Sequence, residues 1–317
     1  MASGDPGGRP SVEDRPDPSP GTGEVLVQVR AAGINNADLL QARGRYPAPP
    51  GSPPDIPGLE LAGEVVACGP GASRFAIGDR VMAVVGGGGQ ASLAVVHERA
   101  ALPVSEGMAW EQAGGFPEAF TTAHDALFTQ AGLGPGERVC VHGAAGGVGT
   151  AGVQLAAAAG ARVVATVRRE SLRAAVESLA GPGGTVVAVD PAGFGRHGPF
   201  DVVLELVGGT NLGEDVAALA SGGRIAVIGV GSGAKAELDL LALMACRGRI
   251  SASTLRTRPL EAKADAARRV ETQVLPLVAA GRVRVPVLAT YPLEDAPAAY
   301  ARFAEGAKLG KIVLASG

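Results

Sequence analysis

Arg138-Val-Cys-Val-His-Gly-Ala-Ala-Gly-Gly-Val-Gly149 is the stretch on which the fold turns. An apolar run enters a glycine-rich turn. A helical pattern then follows, with apolar residues at Val148, Ala151, Leu155 and Ala158. A strand that turns tightly into a helix makes a site for an anion, because the first helical turn offers free N–H groups and a partial positive charge. Small residues at Gly143, Ala144, Ala145, Gly146 and Gly147 let the backbone approach a pyrophosphate, and Gly149 lets the helix, entered through Val148, pack on its strand. The spacing is a variant of the Gly-x-Gly-x-x-Gly fingerprint, so its context has to carry part of the argument.

That context lies C-terminal to the loop. Six β-branched runs recur, at Arg138–His142, Arg162–Val167, Thr185–Val189, Asp201–Leu206, Arg224–Ile228 and Arg249–Ser253. Helical patterns over 148–159, 170–180, 210–220 and 235–246 separate most of them. Repeated βα units predict a parallel sheet covered on both faces, and six strands fill a doubly wound dinucleotide-binding domain. The second run is followed by Arg168 and Arg169, where an NAD site usually carries a carboxylate for the ribose hydroxyls. A guanidinium binds a 2′-phosphate instead, so NADPH is the expected cofactor.

Outward in the other direction the pattern changes. Residues 1–23 are rich in Pro and Gly and read as an extended or disordered lead-in. Short β-like runs follow at Glu24–Val29, Gly63–Ala67, Arg80–Val85 and Gln90–Val96, with turn clusters between them and few helices. After residue 257 come a helix at about 261–280, a strand at Val283–Leu288, a helix at Leu293–Gly306 and a last strand at Lys311–Leu314. This tail breaks the βα rhythm and is expected to return to the first domain. The expected class is α/β: a Rossmann doubly wound parallel sheet over 119–257, and a mostly β domain over 1–118 and 258–317.

Composition removes several functions. The 317 residues are 46% hydrophobic, too many for a disordered chain. The formal charge of −3, without a basic stripe, argues against nucleic-acid binding. Cys68, Cys140 and Cys246 form no Cys-x-x-Cys pair, and the four histidines show no metal-ligand spacing. His142 reads as a buried, hydrogen-bonded residue rather than a base. There is no apolar leader and no long uncharged apolar run, so the expectation is a cytoplasmic protein without a membrane partner. A serine-hydrolase elbow is missing. The residues four after the three tyrosines are Pro50, Asp295 and Ala304, so a Tyr-x-x-x-Lys pair is missing too. Hydride transfer without a metal remains.

The chain resembles the medium-chain dehydrogenase/reductases, and within them the zinc-free quinone oxidoreductase (zeta-crystallin-like) branch. The resemblance covers about residues 24–317. It rests on Ala31-Ala-Gly-Ile-Asn-Asn-Ala-Asp38, Gly58-Leu-Glu-Leu-Ala-Gly63, Gly78-Asp-Arg80, Gly86-Gly-Gly-Gly-Gln-Ala91, Pro117-Glu-Ala-Phe-Thr-Thr122, the glycine loop and Gly310-Lys-Ile-Val313. Three pieces, Ser253-Thr-Leu-Arg-Thr-Arg258 among them, are most similar to the tumour-suppressor-inducible quinone oxidoreductases. Where zinc-dependent relatives carry ligands, this chain has Asn35 and Leu59, which cannot replace a thiolate and an imidazole.

The resemblance implies that the β domain is GroES-like and catalytic, with the site in a cleft between the domains. It places the nicotinamide near Asn35, Tyr46 and Thr122, and its entry at Gly229, Val230 and Gly231. Asn35 or Tyr46 would donate a hydrogen bond to the developing oxyanion, and water or the Tyr46 hydroxyl would supply the proton. Asn35 and Asp38 could also do no more than order their own loop. Thr254, Arg256 and Arg258 are candidates for the far wall or for phosphates; Gly86–Gly89 are expected to shape a loop at the cleft, with Gln90 and Leu93 on that side of the substrate.

Three departures stand out. Family members begin with a strand before a Gly/Pro turn, found here near residues 4–8, and residues 1–12 leave no room for that strand. A family Tyr that helps hold the 2′-phosphate is replaced by Val189 or Asp190. Leu93 stands where an aromatic is common. The expected activity is NADPH-dependent quinone reduction. The alternatives are an NADPH-dependent enone or 2-alkenal reductase, biosynthetic enzymes included, and an NADPH-binding protein without turnover. The family habit also implies a homodimer, joined through an edge strand at Ile250–Ser253.

Overall fold

The computed structural model describes residues 2–3 and 10–316. The chain divides into two compact units. The first runs through Thr121 and is completed by Leu255–Ala279 and by the chain from Val285 onward; the second holds Thr122–Thr254 and Ala280–Arg284.

Residues 1–23 were expected to be an extended or disordered lead-in with no room for a strand ahead of the Gly/Pro turn; instead Ala2–Ser3 (β1) and Pro10–Ser11 (β2) pair as a short antiparallel ribbon. The Gly/Pro turn near residues 4–8 lies outside the described residues. The main strands of the first unit then begin: Glu24–Gly33 (β3), Glu60–Cys68 (β4), Arg80–Val84 (β5), Leu93–His97 (β6) and Ala101–Pro103 (β7). On β3, Val25, Val27 and Val29 are buried while the residues between them are partly exposed, the alternation of a strand with one face on a core. They pack with Leu61, Val65, Val81, Ala83 and Val96.

The second unit is one parallel sheet. Its strands are Arg138–Val141 (β8), Arg162–Thr166 (β9), Thr185–Val189 (β10), Phe200–Glu205 (β11), Leu219–Val227 (β12) and Arg249–Ala252 (β13). Their spatial order is β10-β9-β8-β11-β12-β13. The order reverses between β8 and β11, which is the switch point where open α/β sheets bind ligands. Here the sequence expectation for the fold class holds, and the element ends need correction. β12 starts at Leu219, so the helix expected over 210–220 is only Leu212–Ala217. The early start is read through an irregular register, Phe200 with Leu219 and then Val202 with Arg224, which the intervening Ser221-Gly222-Gly223 permits. The helix expected over 235–246 is Leu240–Ala245, started by Asp239, whose carboxylate accepts from the Ala242 N–H. Helices at Trp110–Gly114 and Pro117–His124, continued by a π turn at Asp125–Gln130, were not expected in the β region or its edge.

The chain then returns. The long helix expected over 261–280 is two, Leu260–Gln273 and Leu275–Ala279. Pro276, which lacks an N–H, sits at the break. The strand expected at Val283–Leu288 begins only after Pro286, as Val287–Pro292 (β14). Helix Ala296–Ala304 and Lys311–Ala315 (β15) close the unit. The first-unit sheet runs β14-β15-β3-β4-β5-β7, with β6 paired to β3.

Candidate functional site: a nucleotide loop and a buried charge cluster

In the second unit the glycine loop joins β8 to helix Gly147–Ala158 at the switch point. Gly143 has φ +61°, a conformation that disfavours residues with a Cβ. A Cβ on Gly149 would stand 2.4 Å from the Gly143 carbonyl oxygen and 2.7 Å from the Ala144 Cα, so only glycine fits under the loop. Thr166 at the end of β9 ties the turn down: its Oγ1 accepts from the Gly143 N–H (3.3 Å) and its carbonyl from the Ala144 N–H (3.2 Å). The close approach at Gly149 and the unpaired first-turn N–H groups are the features a pyrophosphate needs. The residues present therefore fit a dinucleotide.

Arg168 and Arg169 follow β9 and are both exposed. The neighbouring Arg173 is engaged elsewhere, on Asp190 at 2.7 Å. Gly229, Val230 and Gly231 follow the end of β12, with Val230 exposed, and Thr122 is buried at the start of this unit.

Beneath the loop lies a group the sequence did not assemble. His142 is fully buried and its Nε2 is 2.8 Å from an Asp215 oxygen and 3.9 Å from Glu205. Its Nδ1 lies 3.1 Å from the Thr166 hydroxyl. Burial disfavours the charged ring, but the bonds to Asp215 and Cys140 outweigh it and the pKa is pushed up to about 11. His142, Glu205 and Asp215 are also residue types that bind metals, within 4.8 Å of one another. With its pKa raised, His142 holds a proton that faces Asp215 at 2.8 Å and Glu205 at 3.9 Å, so a cation already lies between the two carboxyl groups. Glu205, its pKa raised by burial, accepts from the Gly208 N–H (2.8 Å) and the Asn211 amide (2.9 Å), which orders the chain leaving β11.

The first unit holds a second cluster. Pairing of Val313 with Gly33 and of Ala31 with Ala62 carries Lys311 and Glu60 to the end of β3, where Asn35 follows. The Lys311 ammonium donates to Glu60 Oε1 (2.5 Å), Asn35 Oδ1 (2.6 Å) and the Ile34 carbonyl (3.2 Å). Asn35 Nδ2 donates to the same Glu60 oxygen at 2.9 Å, and the Glu118 N–H donates to Glu60 Oε2 at 2.9 Å. The Lys311 and Glu60 side chains are 3% and 0% exposed. A Cβ on Gly33 would stand 2.2 Å from Glu60 Oε1, so this glycine admits the carboxylate. The Asn35 amide is thus fixed in one orientation, its oxygen on a cation and one of its N–H groups on an anion.

Asp38 accepts from the Asn35 N–H (2.8 Å) and the Gly58 N–H (3.1 Å), which starts helix Asn36–Ala42 and pins the loop before β4. Its pKa is raised to about 7 by burial, against the opposing pull of those N–H bonds and of Lys311. Asp38 therefore orders its own loop, one of the two roles the sequence left open.

Two expectations need correction. Gln90, expected on the substrate side, is fully buried: its amide donates to the Gly33 carbonyl (3.4 Å) and its oxygen accepts from Tyr300 (2.7 Å). Gly86–Gly89 are buried with it, under the segment carrying Pro49, Ser52 and Pro53. Arg256, a candidate for phosphates, is only 2% exposed and is bonded to carbonyl oxygens of its own unit. Tyr46 is partly exposed on the loop after helix Asn36–Ala42.

A model of the alcohol dehydrogenase GroES-like domain matches residues 21–129, and a model of zinc-binding dehydrogenases matches residues 192–314. The crystal structure of a probable oxidoreductase from Mycobacterium abscessus is 31% identical, with a TM-score of 0.81 over 96% of this chain and 94% of that one. The chain belongs to the medium-chain dehydrogenase/reductases. It is an oxidoreductase of that superfamily, whose members bind a nicotinamide cofactor. A mycobacterial protein solved in complex with NADPH is 28% identical, with a TM-score of 0.82 over 96% of this chain and 94% of its own. Erythronolide synthase EryA2 of Saccharopolyspora erythraea is 37% identical over 303 residues, which is 92% of this chain and 8% of the synthase. The chain thus spans a small fraction of the curated relative it matches. Among the described residues no helix is long and apolar enough to cross a membrane.

Proposed function

We propose that this medium-chain dehydrogenase/reductase is an NADPH-dependent reductase of conjugated carbonyl compounds, an enone or enoyl thioester, acting without zinc. The observation that carries this reading is that nearly the whole chain, 92% of it, matches one segment of a polyketide synthase. Polyketide chains acquire C=C bonds conjugated to carbonyls, and their saturation needs hydride at the β-carbon and a proton at the α-carbon.

The bound cofactor supplies the hydride. Gly143–Gly149 hold its pyrophosphate, and Arg168 and Arg169, free in solvent, face the 2′-phosphate. Thr122 and Gly229–Gly231 border the nicotinamide half. The remaining Asn35 N–H, held in a fixed orientation by Lys311 and Glu60, polarises the acceptor carbonyl, and the Tyr46 hydroxyl or water gives the proton. The positions that resemble zinc ligands do not suit the metal: Leu59 is a buried alkyl group, and the Asn35 oxygen is already held by an ammonium. Catalysis is assigned to the first unit and cofactor binding to the second; the unit bounds differ by a few residues from the expected 1–118 plus 258–317 and 119–257, and Ala280–Arg284 join the second. Cytoplasmic location and a homodimer paired along β13 complete the reading.

The test is steady-state NADPH and NADH oxidation with an α,β-unsaturated ketone, a trans-2-enoyl thioester, 1,4-benzoquinone and 9,10-phenanthrenequinone. Turnover of the conjugated carbonyls with NADPH supports the proposal. Turnover of quinones alone returns the chain to the quinone reductases, and tight cofactor binding without turnover makes it a binding protein. Replacing Arg168 and Arg169 by Ser is expected to raise the KM for NADPH at least tenfold and leave that for NADH within twofold, about 1.4 kcal/mol for the 2′-phosphate.

A further inference from the structure

Arg256 is the largest fully buried side chain among the described residues. Its Nε donates to the Gly86 carbonyl (2.8 Å), its Nη1 to the Tyr46 carbonyl (2.9 Å) and its Nη2 to Gln41 Oε1. All three acceptors are neutral, and Arg256 forms no ion pair among the described residues. Asp38 and Glu118 act on it only through space, and burial lowers its pKa. A buried cation of this kind is costly, and an apolar side chain of similar length would fill the same space without that cost. The guanidinium carbon stands 4.7 Å from the centroid of the Tyr46 ring, so the cation lies over the aromatic face. It also joins three pieces of chain: the helix carrying Gln41, the loop carrying Tyr46, and the glycine run at Gly86.

We propose that Arg256 is a positioning residue for Tyr46, fixing the phenol from behind through the ring face and the Tyr46 carbonyl so that its hydroxyl serves the reaction. The inference rests on Tyr46 acting as proton or hydrogen-bond donor. A cation over the ring stabilises the negative charge that grows on the phenol as it gives up its proton. The carbonyl bond holds the loop, which has no regular secondary structure of its own, in one place. Loss of that hold moves the hydroxyl, while the nucleotide loop belongs to the other unit.

The experiment is a double-mutant cycle of R256M and Y46F in the full chain, read by kcat with the best acceptor and by NADPH affinity. R256M is expected to lower kcat about tenfold or more with NADPH affinity within twofold, and to add nothing in the Y46F background. R256K, which keeps the cation but loses the fork, is expected to fall between R256M and the parent, and serves if R256M does not fold. Labelling the three tyrosines with 3-fluorotyrosine gives a second readout, in which the resonance assigned to Tyr46 by Y46F shifts or broadens in R256M or R256K. Additive losses from Y46F and R256M overturn the proposal while leaving the role of Tyr46 intact. A Y46F enzyme with unchanged kcat removes the role of Tyr46 and the proposal with it. An unmoved Tyr46 resonance in either Arg256 variant also overturns it.

Discussion

Replacing Lys311 by Met should cost the first unit about 4 kcal/mol, the range of 3–5 expected when one partner of a buried ion pair is removed. The pair is 2.5 Å apart with both side chains out of solvent, so the loss of the ammonium leaves a buried, uncompensated charge at Glu60. Asn35 Oδ1 and the Ile34 carbonyl lose a charged donor at the same time. A second replacement, Glu60→Gln, removes the stranded charge while preserving an acceptor for the Asn35 amide. The double variant should therefore recover roughly 2 kcal/mol relative to the sum of the single losses. Trp110 makes the assay specific. It is the sole tryptophan, it lies in the first unit, and the Arg80 guanidinium sits 4.0 Å above its ring. Its fluorescence in a urea titration follows that unit even where the two units unfold separately. A loss below about 1 kcal/mol for Lys311→Met, or a double variant as unstable as the sum of the two, would refute the reasoning. A surviving Lys311→Met enzyme should also be slower with every acceptor, because its Asn35 amide is held only by the bond to Glu60.

Three further outcomes follow from the same geometry. Gly149→Val should abolish NADPH binding measured by nicotinamide fluorescence, since its Cβ would meet the Gly143 oxygen at 2.4 Å; binding within threefold of the parent would contradict the assigned loop. His142 binds its proton more tightly in the folded state, up to about 11 against an ordinary 6.5, so its stabilising contribution is complete below pH 6.5 and is lost as pH rises toward 11. The melting-temperature gap between the parent and His142→Gln should accordingly narrow from pH 6 to pH 10, and a widening gap would exclude the ion pair with Asp215. Asp38, raised to about 7, also holds its proton more tightly when folded, so the parent should lose stability relative to Asp38→Asn as pH climbs from about 4 to about 7. A pH-independent difference by Trp110 fluorescence would show that burial does not govern this carboxyl.

The nucleotide unit was legible because its signals are local. A period of two in the strands, a period near 3.6 in the helices and the crowding at Gly149 all act between residues a few positions apart, so composition and spacing suffice to read them. Element ends were less legible where backbone hydrogen bonding overrides the pattern, as at Pro276 and Pro286, which lack the N–H that would continue a helix or a ladder. His142 reads as buried and hydrogen-bonded, which it is, but which charged groups meet in the interior was not legible. Lys311 and Glu60 are 251 residues apart, Arg256 and Tyr46 are 210 apart, and His142 and Asp215 are 73 apart. Read singly, Lys311 and Arg256 look like surface charges, because the sequence does not record the partner that makes burial tolerable. The chain alone thus determined a glycine-loop α/β protein with a β-rich partner unit. Only the tertiary structure decided which of its charges are buried together, because strand register, not sequence distance, sets which side chains meet.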